Sequence, residues 1–309
     1  MSGRGNMFNE GEILIDTKRR SWKLGTLIGK GGFGCIYTAS IHGEEDVSET
    51  QYAIKIEPKS NGPLFVEQVF YQRIGKWDMI DSWKKSNGIN HLGIPNFYGF
   101  GFYTKNKKDY RFIIVDRLGC DLNKIIQNNN NKLPQSTVFK IADRIITVLR
   151  YIHDHGYTHG DIKASNIAID YYDKNKIYLI DYGLSHRYKV NDVHIQYKRD
   201  PKKMHNGTIE FTSIDMHNGA SITRRGDLEI LGYCMVKWLG GILPWENDLK
   251  NRTYVMEQKI RCIGDIHNFL TESLGRYPVE LYNYFIYISS LKYDECPDYN
   301  LITRMINKT

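Results

Sequence analysis

The texture of apolar and polar positions changes once along this chain, near Leu118. Before that point β-branched and aromatic residues crowd short runs separated by turn formers, which predicts strands at Trp22–Ile28, Cys35–Ser40, Tyr52–Glu57, Phe97–Phe102 and Arg111–Asp116. Two helical patterns interrupt them. Pro63 stands where a helix can begin, with Leu64, Phe65, Val69 and Phe70 following at helical spacing, and Met79–Lys85 reads as a short linking helix. Residues 1–20 form a polar, mostly extended lead-in with one apolar patch, Ile13-Leu14-Ile15, and the acidic insert His42–Thr50 reads as an exposed hairpin tip.

Beyond Leu118 the period is helical. Ser136 is placed to N-cap a segment whose Val138, Ile141, Ile145, Val148, Leu149 and Ile152 form one stripe. Leu228–Leu239 is apolar nearly all round, the mark of a buried central helix, and Pro278–Leu291 and Pro297–Ile306 read as closing helices. Gln127–Asn131 is a short polar loop, and no internal repeat is present. The expected fold is α+β and bilobal: the lead-in 1–20, a small β-rich lobe 21–116 and a larger helical lobe 117–309, joined near Asp116–Cys120.

Composition narrows the class without naming the chemistry. At 41% hydrophobic and 25% charged over 309 residues, the chain can bury a core without metal or disulfide staples. Its five cysteines are scattered with no CxxC pair, which argues for reduced thiols and against a zinc site. The apolar runs fall short of the roughly 20 residues that span a bilayer, and no signal or lipidation pattern is found, so a soluble, cytoplasmic protein is expected, with the nucleus as the other address. The net charge of +7 is concentrated at Lys198, Arg199, Lys202 and Lys203 and at Arg224 and Arg225. Solubility accounts for it, a basic face for acidic proteins or nucleic acid is the sharper alternative, and the Lys198–Lys203 segment is placed to contact acidic or already phosphorylated substrates. No nucleic-acid motif accompanies the charge, which speaks against direct nucleic-acid binding.

The candidate chemistry lies in His159-Gly160-Asp161-Ile162-Lys163-Ala164-Ser165-Asn166, followed by Asp181-Tyr182-Gly183. A carboxylate, an ammonium, a carboxamide and a second carboxylate stand in the order that phosphoryl transfer from ATP requires. Asp161 can orient a hydroxyl and accept its proton, Lys163 can neutralise the moving phosphoryl group, and Asn166 with Asp181 can ligate Mg²⁺. Upstream, Gly29-Lys30-Gly31-Gly32-Phe33-Gly34-Cys35-Ile36 fits a glycine loop whose N–H groups approach phosphates while Phe33 closes the tip. A strand rather than a helix follows it, unlike the dinucleotide-binding fingerprint. Lys55, in Ala53-Ile54-Lys55, can reach the α and β phosphates, and Glu67 on the next helix is its natural partner. The backbone of Asp116 and Leu118 can bond the adenine edge, with Ile28, Ile36, Ala53 and Val115 sandwiching the ring.

Taken together these motifs resemble the eukaryotic protein kinase signature set. More narrowly, Asn61-Gly62-Pro63-Leu64-Phe65, the two motifs at 159–166 and 181–183, Gly207-Thr208-Ile209-Glu210-Phe211-Thr212-Ser213-Ile214-Asp215 and Leu243-Pro244-Trp245 resemble the vaccinia-related kinase family, a branch near casein kinase 1. The likeness covers roughly residues 11 to 307. The chain lacks the long tail of the animal members, which together with its Asn-rich composition favours the poxvirus form. The resemblance implies a monomeric Ser/Thr kinase using ATP and Mg²⁺ on protein substrates, among them DNA-associated proteins such as the barrier-to-autointegration factor and histones. Lys163 follows the Ser/Thr pattern, Thr208 is placed to bond Asp161 and Lys163, and Ala168 marks the floor of the adenine pocket.

Departures from the general kinase pattern carry expectations of their own. Gly160 replaces the arginine that usually precedes the catalytic Asp, which removes a cation for a phosphorylated activation loop and predicts activity independent of phosphorylation in 184–212. Ser213-Ile214-Asp215 stands where Ala-Pro-Glu is usual, so the ion pair made by that glutamate is in doubt. Asp227 either holds the catalytic-loop backbone, as the resemblance implies, or serves as a first-turn acid. A kinase-fold scaffold without turnover is the rival, but it predicts erosion of the motifs, and the sequence shows none. A DNA- or chromatin-binding module has only the net charge and the Met-Ser-Gly-Arg-Gly opening behind it.

Overall fold

The computed structural model describes residues 8–31, 34–43 and 51–307. In the small lobe β1 (Ile13–Ile15), β2 (Ser21–Lys30), β3 (Cys35–Ile41), β4 (Tyr52–Pro58), β5 (Phe97–Lys105) and β6 (Lys108–Asp116) form an antiparallel sheet in the order β1-β2-β3-β4-β6-β5. All five expected strands are present and slightly longer, and the Ile13-Leu14-Ile15 patch adds an edge strand. Residues 44–50 of the expected hairpin tip lie outside the described residues.

The sheet has two apolar faces. One buries Leu14, Trp22, Tyr37, Ile54, Ile56, Phe112 and Ile114, and Phe8 of the lead-in seals it with ring contacts to Tyr37, Tyr103 and Tyr110. The other carries α1 (Pro63–Ile74), which starts with Pro in its first turn because that position needs no N–H donor. Leu64, Phe70, Tyr71 and Ile74 of α1 join the core of the large lobe, so this helix is shared between the lobes. The linking helix α2 (Trp77–Asn87) ends at Gly88, left-handed at φ 64°, whose N–H returns to the carbonyls of Lys84 and Lys85.

The chain crosses to the large lobe through β7 (Leu118–Asp121) and α3 (Leu122–Asn128), capped by the Asp121 carboxylate, so Gln127 and Asn128 of the expected loop are helical. Next comes α4 (Gln135–Asp154), whose stripe lies in the core as expected. Ser136 does not cap it: the helix begins at Gln135, two residues before the expected start, so the N-cap is Pro134 and no side chain caps it. Short strands follow, β8 (Tyr157–Thr158), β9 (Ile167–Asp170), β10 (Ile177–Leu179), β11 (His186–Arg187), β12 (Lys189–Val190) and β13 (Val193–His194). Strands β10-β9-β7 form a small sheet, β11 pairs with β8, and β12 pairs with β13. The remainder is helical: α5 (Ile214–His217), the central α6 (Arg224–Trp238), α7 (Arg252–Gly264), α8 (Ile266–Leu274), α9 (Val279–Ser290) and α10 (Tyr299–Ile306). Pro278 and Pro297 fall just outside α9 and α10, the latter capped by Asp298. Among the described residues no helix is long and apolar enough to cross a membrane.

Candidate active site

A cleft of about 630 Å³ separates the lobes, lined from above by Ile28, Gly29, Gly31, Gly34, Ile36, Ala53, Lys55, Glu67 and Val115 and from below by Asp161, Lys163, Asn166, Ala168 and Asp181. Asp116 and Leu118 line its back edge, so the cleft gathers every site residue read from the sequence except Gly32 and Phe33, which lie outside the described residues. Gly34 is forced by space, since a Cβ there would sit 2.2 Å from the Ile56 carbonyl. The Asp116 carboxylate turns away, accepting hydrogen bonds from Asn96 N (2.7 Å) and Tyr98 Oη (2.7 Å). Its N–H donates to Asn96 O, so only its carbonyl is left to face a ligand.

Lys55 on β4 joins the lobes. Its Nζ donates to Glu67 Oε2 at 2.7 Å and to Asp181 Oδ1 at 2.8 Å. Burial opposes the ammonium charge, but Glu67 and Asp181 outweigh it and raise the lysine above its ordinary value. Burial pushes Glu67 up against the pull of Lys55, whereas for Asp181 the same desolvation is overcome by Lys55 and the carboxyl is held low. Asp181 sits left-handed at φ 64°, a conformation an aspartate tolerates at modest cost. It is fixed by its neighbour Tyr182, fully buried and stacked on Phe70 of α1 at 3.8 Å.

The lower wall is a hydrogen-bonded ring around Asp161. Oδ1 accepts from Thr208 Oγ1 at 2.6 Å and Oδ2 from Lys163 Nζ at 2.6 Å, while Lys163 also donates to Thr208 Oγ1 at 2.8 Å. The Asn166 Nδ2 donates to the Asp161 carbonyl at 2.9 Å, which leaves its Oδ1 as the acceptor of that side chain. His159 ties the two motifs together, its Nδ1 accepting the Asp161 N–H (3.2 Å) and its Nε2 donating to the Ile180 carbonyl (3.1 Å).

Asp227 resolves in favour of the catalytic loop. It is fully buried, and its carboxylate accepts the N–H of His159 (2.8 Å), the N–H of Gly160 (2.9 Å) and His153 Nε2 (2.9 Å). Tyr299 of α10 bonds His153 Nδ1 at 2.6 Å, so the C-terminal helix reaches this network, a link that no local pattern signals. Gly160 holds φ 84°, and a Cβ would meet the Leu184 carbonyl at 3.0 Å.

The doubt over Ser213-Ile214-Asp215 is overturned. Asp215 makes a bidentate pair with Arg225, Oδ2 to Nε and Oδ1 to Nη2 both at 2.8 Å, so the shorter acid supplies the anchor. Arg225 had stood out only as surface charge. The segment between the motifs is stapled by contacts of the chain itself: β11 pairs with β8, the Tyr188 hydroxyl donates to His153 O at 2.6 Å, and Tyr293 packs on His194 and Tyr197.

A two-lobed fold with this cleft and loop order defines a protein kinase, and the protein kinase domain family matches residues 22–280. The monkeypox virus B1 kinase is 46% identical over 299 residues, 96% of each chain. The human serine/threonine-protein kinase VRK2 is 42% identical over 302 residues, spanning 97% of this chain and 59% of that one. The solved structure of vaccinia related kinase 3 superposes with a TM-score of 0.88 at 31% identity, covering 98% of this chain and 92% of its own. The chain belongs to the vaccinia-related kinase family of serine/threonine protein kinases.

Proposed function

We propose that the enzyme transfers the γ-phosphoryl group of Mg-ATP to serine and threonine hydroxyls of protein acceptors, with DNA-associated proteins such as the barrier-to-autointegration factor as the substrate class. The observation that carries this reading is the facing of two preorganised sets across one cleft: Lys55 between Glu67 and Asp181 above, and Asp161 held by Thr208 and Lys163 below. The cleft volume suits a nucleotide, its apolar upper wall an adenine and the Asp116 carbonyl an exocyclic amine.

Asn166 Oδ1 and Asp181 fit Mg²⁺, a hard cation that takes one or two protein oxygens and completes its shell with phosphate and water. When bound, the ion supplies charge neutralisation on the phosphates. Lys55 positions the α and β phosphates, and Asp161 aligns the acceptor hydroxyl and takes its proton. The acceptor O–P bond forms as the bond from the γ phosphorus to the departing ADP oxygen breaks, with Lys163 beside the equatorial oxygens. Residues 21–116 supply the upper wall of the nucleotide cleft, and 117–309 supply its floor, the metal ligands and the acceptor site. Free thiols at Cys35, Cys120, Cys234, Cys262 and Cys296 support a reducing compartment such as the cytoplasm.

The test compares ³²P transfer from ATP to casein by wild type, Lys55→Ala and Asp161→Ala, with and without Mg²⁺. Loss of transfer in both variants and on chelation is expected, and equal transfer by all three would sink the assignment.

A further inference from the structure

Lys259 of α7 has no solvent exposure, an unusual place for an ammonium. Its Nζ donates to the Thr212 carbonyl at 2.6 Å, to the Ile209 carbonyl at 2.9 Å and to His217 Nε2 at 3.2 Å. The faces of Trp245 and Tyr233 lie 5.2 Å and 5.3 Å from it. An ammonium has three donors, and these acceptors use all three. The tautomers follow: His217 accepts at Nε2, so its Nδ1–H is donated to His205 Nδ1, 2.8 Å away. Burial and the Lys259 charge push His217 down to about 3, which keeps it a neutral acceptor. Burial also lowers Lys259, opposed by Glu229 and Glu210.

The captured carbonyls belong to one turn. The N–H groups of Phe211 and Thr212 both return to Thr208 O at 2.8 Å, and Trp245 Nε1 donates to Glu210 O at 2.8 Å. One side of this turn is therefore tied to α7 and Trp245, and the other carries Thr208, whose hydroxyl lies 2.6 Å from Asp161. We infer that Lys259 is a positioning residue for the protein acceptor: its grip on the carbonyls of residues 209 and 212 sets where Thr208 meets Asp161, and so where the incoming hydroxyl is seated. The inference rests on the reading of Asp161 as the group that receives that hydroxyl.

Lys259→Met keeps the stem against Trp245 and Tyr233 and removes all three donors. With casein as acceptor, kcat/KM for casein should fall about tenfold or more, the scale of a small misplacement at a transfer centre, while KM for ATP stays within about twofold. His217→Gln and His217→Leu form the second pair. Both lose the bond to His205, but only Gln offers an oxygen where Nε2 stood, so Gln should hold casein kcat/KM near wild type and Leu should lower it several-fold. Wild-type casein kinetics in a folded Lys259→Met would overturn the inference, as would equal values for the two His217 variants, and that pair decides alone should Lys259→Met fail to fold. Asp161→Ala run alongside separates the two readings. If it is inactive while Lys259→Met matches wild type, only the positioning role falls; if it is as active as wild type, the site reading falls first.

Discussion

Replacing Asp227 by Asn changes one oxygen to an NH₂ group in a place where three donors converge. Oδ1 can go on accepting from Gly160 N–H. The new amide nitrogen then faces both His159 N–H and His153 Nε2, which Oδ2 had served at 2.8 Å and 2.9 Å. His153 can escape by switching tautomer, accepting at Nε2 and donating through Nδ1 to the Tyr299 hydroxyl. The His159 N–H cannot escape, and an orphaned buried donor costs about 1–3 kcal/mol. Loss of charge assistance to Gly160 adds about 1 kcal/mol, giving about 2–4 kcal/mol in all. Asp227→Ala strands all three donors and should be worse. Urea unfolding gives the stability difference. Steady-state transfer to casein should show kcat reduced about 100-fold, because the displaced backbone leads directly into Asp161. A first-turn acid that merely complements a helix dipole is worth only about 0.3–1 kcal/mol. An Asn variant within about 0.5 kcal/mol of wild type and with unchanged kcat would refute the reasoning.

The Asp215–Arg225 pair should be strongly coupled: Asp215→Asn and Arg225→Ala are each expected to cost about 3 kcal/mol, and the double mutant far less than their sum, as read by a thermal-denaturation cycle. Gly160→Ala should lose about 1–2 kcal/mol because an L-residue is strained at φ 84°, a difference visible as a lowered Tm. Enzyme made in bacteria should keep its rate after phosphatase treatment, and a collapse would show that a phosphate in 184–212 is needed. In Asp16, burial is outweighed by bonds from Trp22 Nε1 (3.1 Å), Arg20 N (2.9 Å) and Arg20 Nε (2.8 Å), which hold the carboxyl below its ordinary value. A depressed carboxyl stabilises the fold fully above its unfolded value of about 4 and loses that contribution as pH falls through the folded one. Asp16→Asn should therefore lower Tm at pH 7 by more than at pH 3, and an equal loss at both would count against the carboxylate.

The small lobe was legible because each strand carries its own β-branched and aromatic run and glycine or proline marks the breaks after β2, β3 and β4, although the turns at 17–20 and 106–107 carry neither. The catalytic residues were legible because phosphoryl transfer fixes side-chain types in a short loop, where spacing along the chain and spacing in space coincide. Elsewhere that coincidence fails. Helix α7 shows no clean stripe because its buried positions are Val255, Lys259 and Cys262, with a charged residue at the centre of the seam. Arg225 and Asp215 are both ordinary surface types until α6 turns one toward the other. Tyr299 meets His153 across 146 positions, a separation at which no periodicity speaks. The cap of α4 was misplaced because a serine near a helix start is a good acceptor in principle, but Pro134 already sets the entry angle.

The stapling of residues 186–200 has a consequence for control. Backbone pairing to β8, the Tyr188 hydroxyl on His153 and the bond from Asp200 N–H to the Gly219 carbonyl are all formed by the polypeptide itself. A segment held this way is expected to be competent once the chain folds, the outcome that the phosphatase comparison checks. A kinase of that kind would keep no record of past signals. Its output would then follow from how many copies have been synthesised and how much acceptor they meet, with dosage and supply in place of a switch.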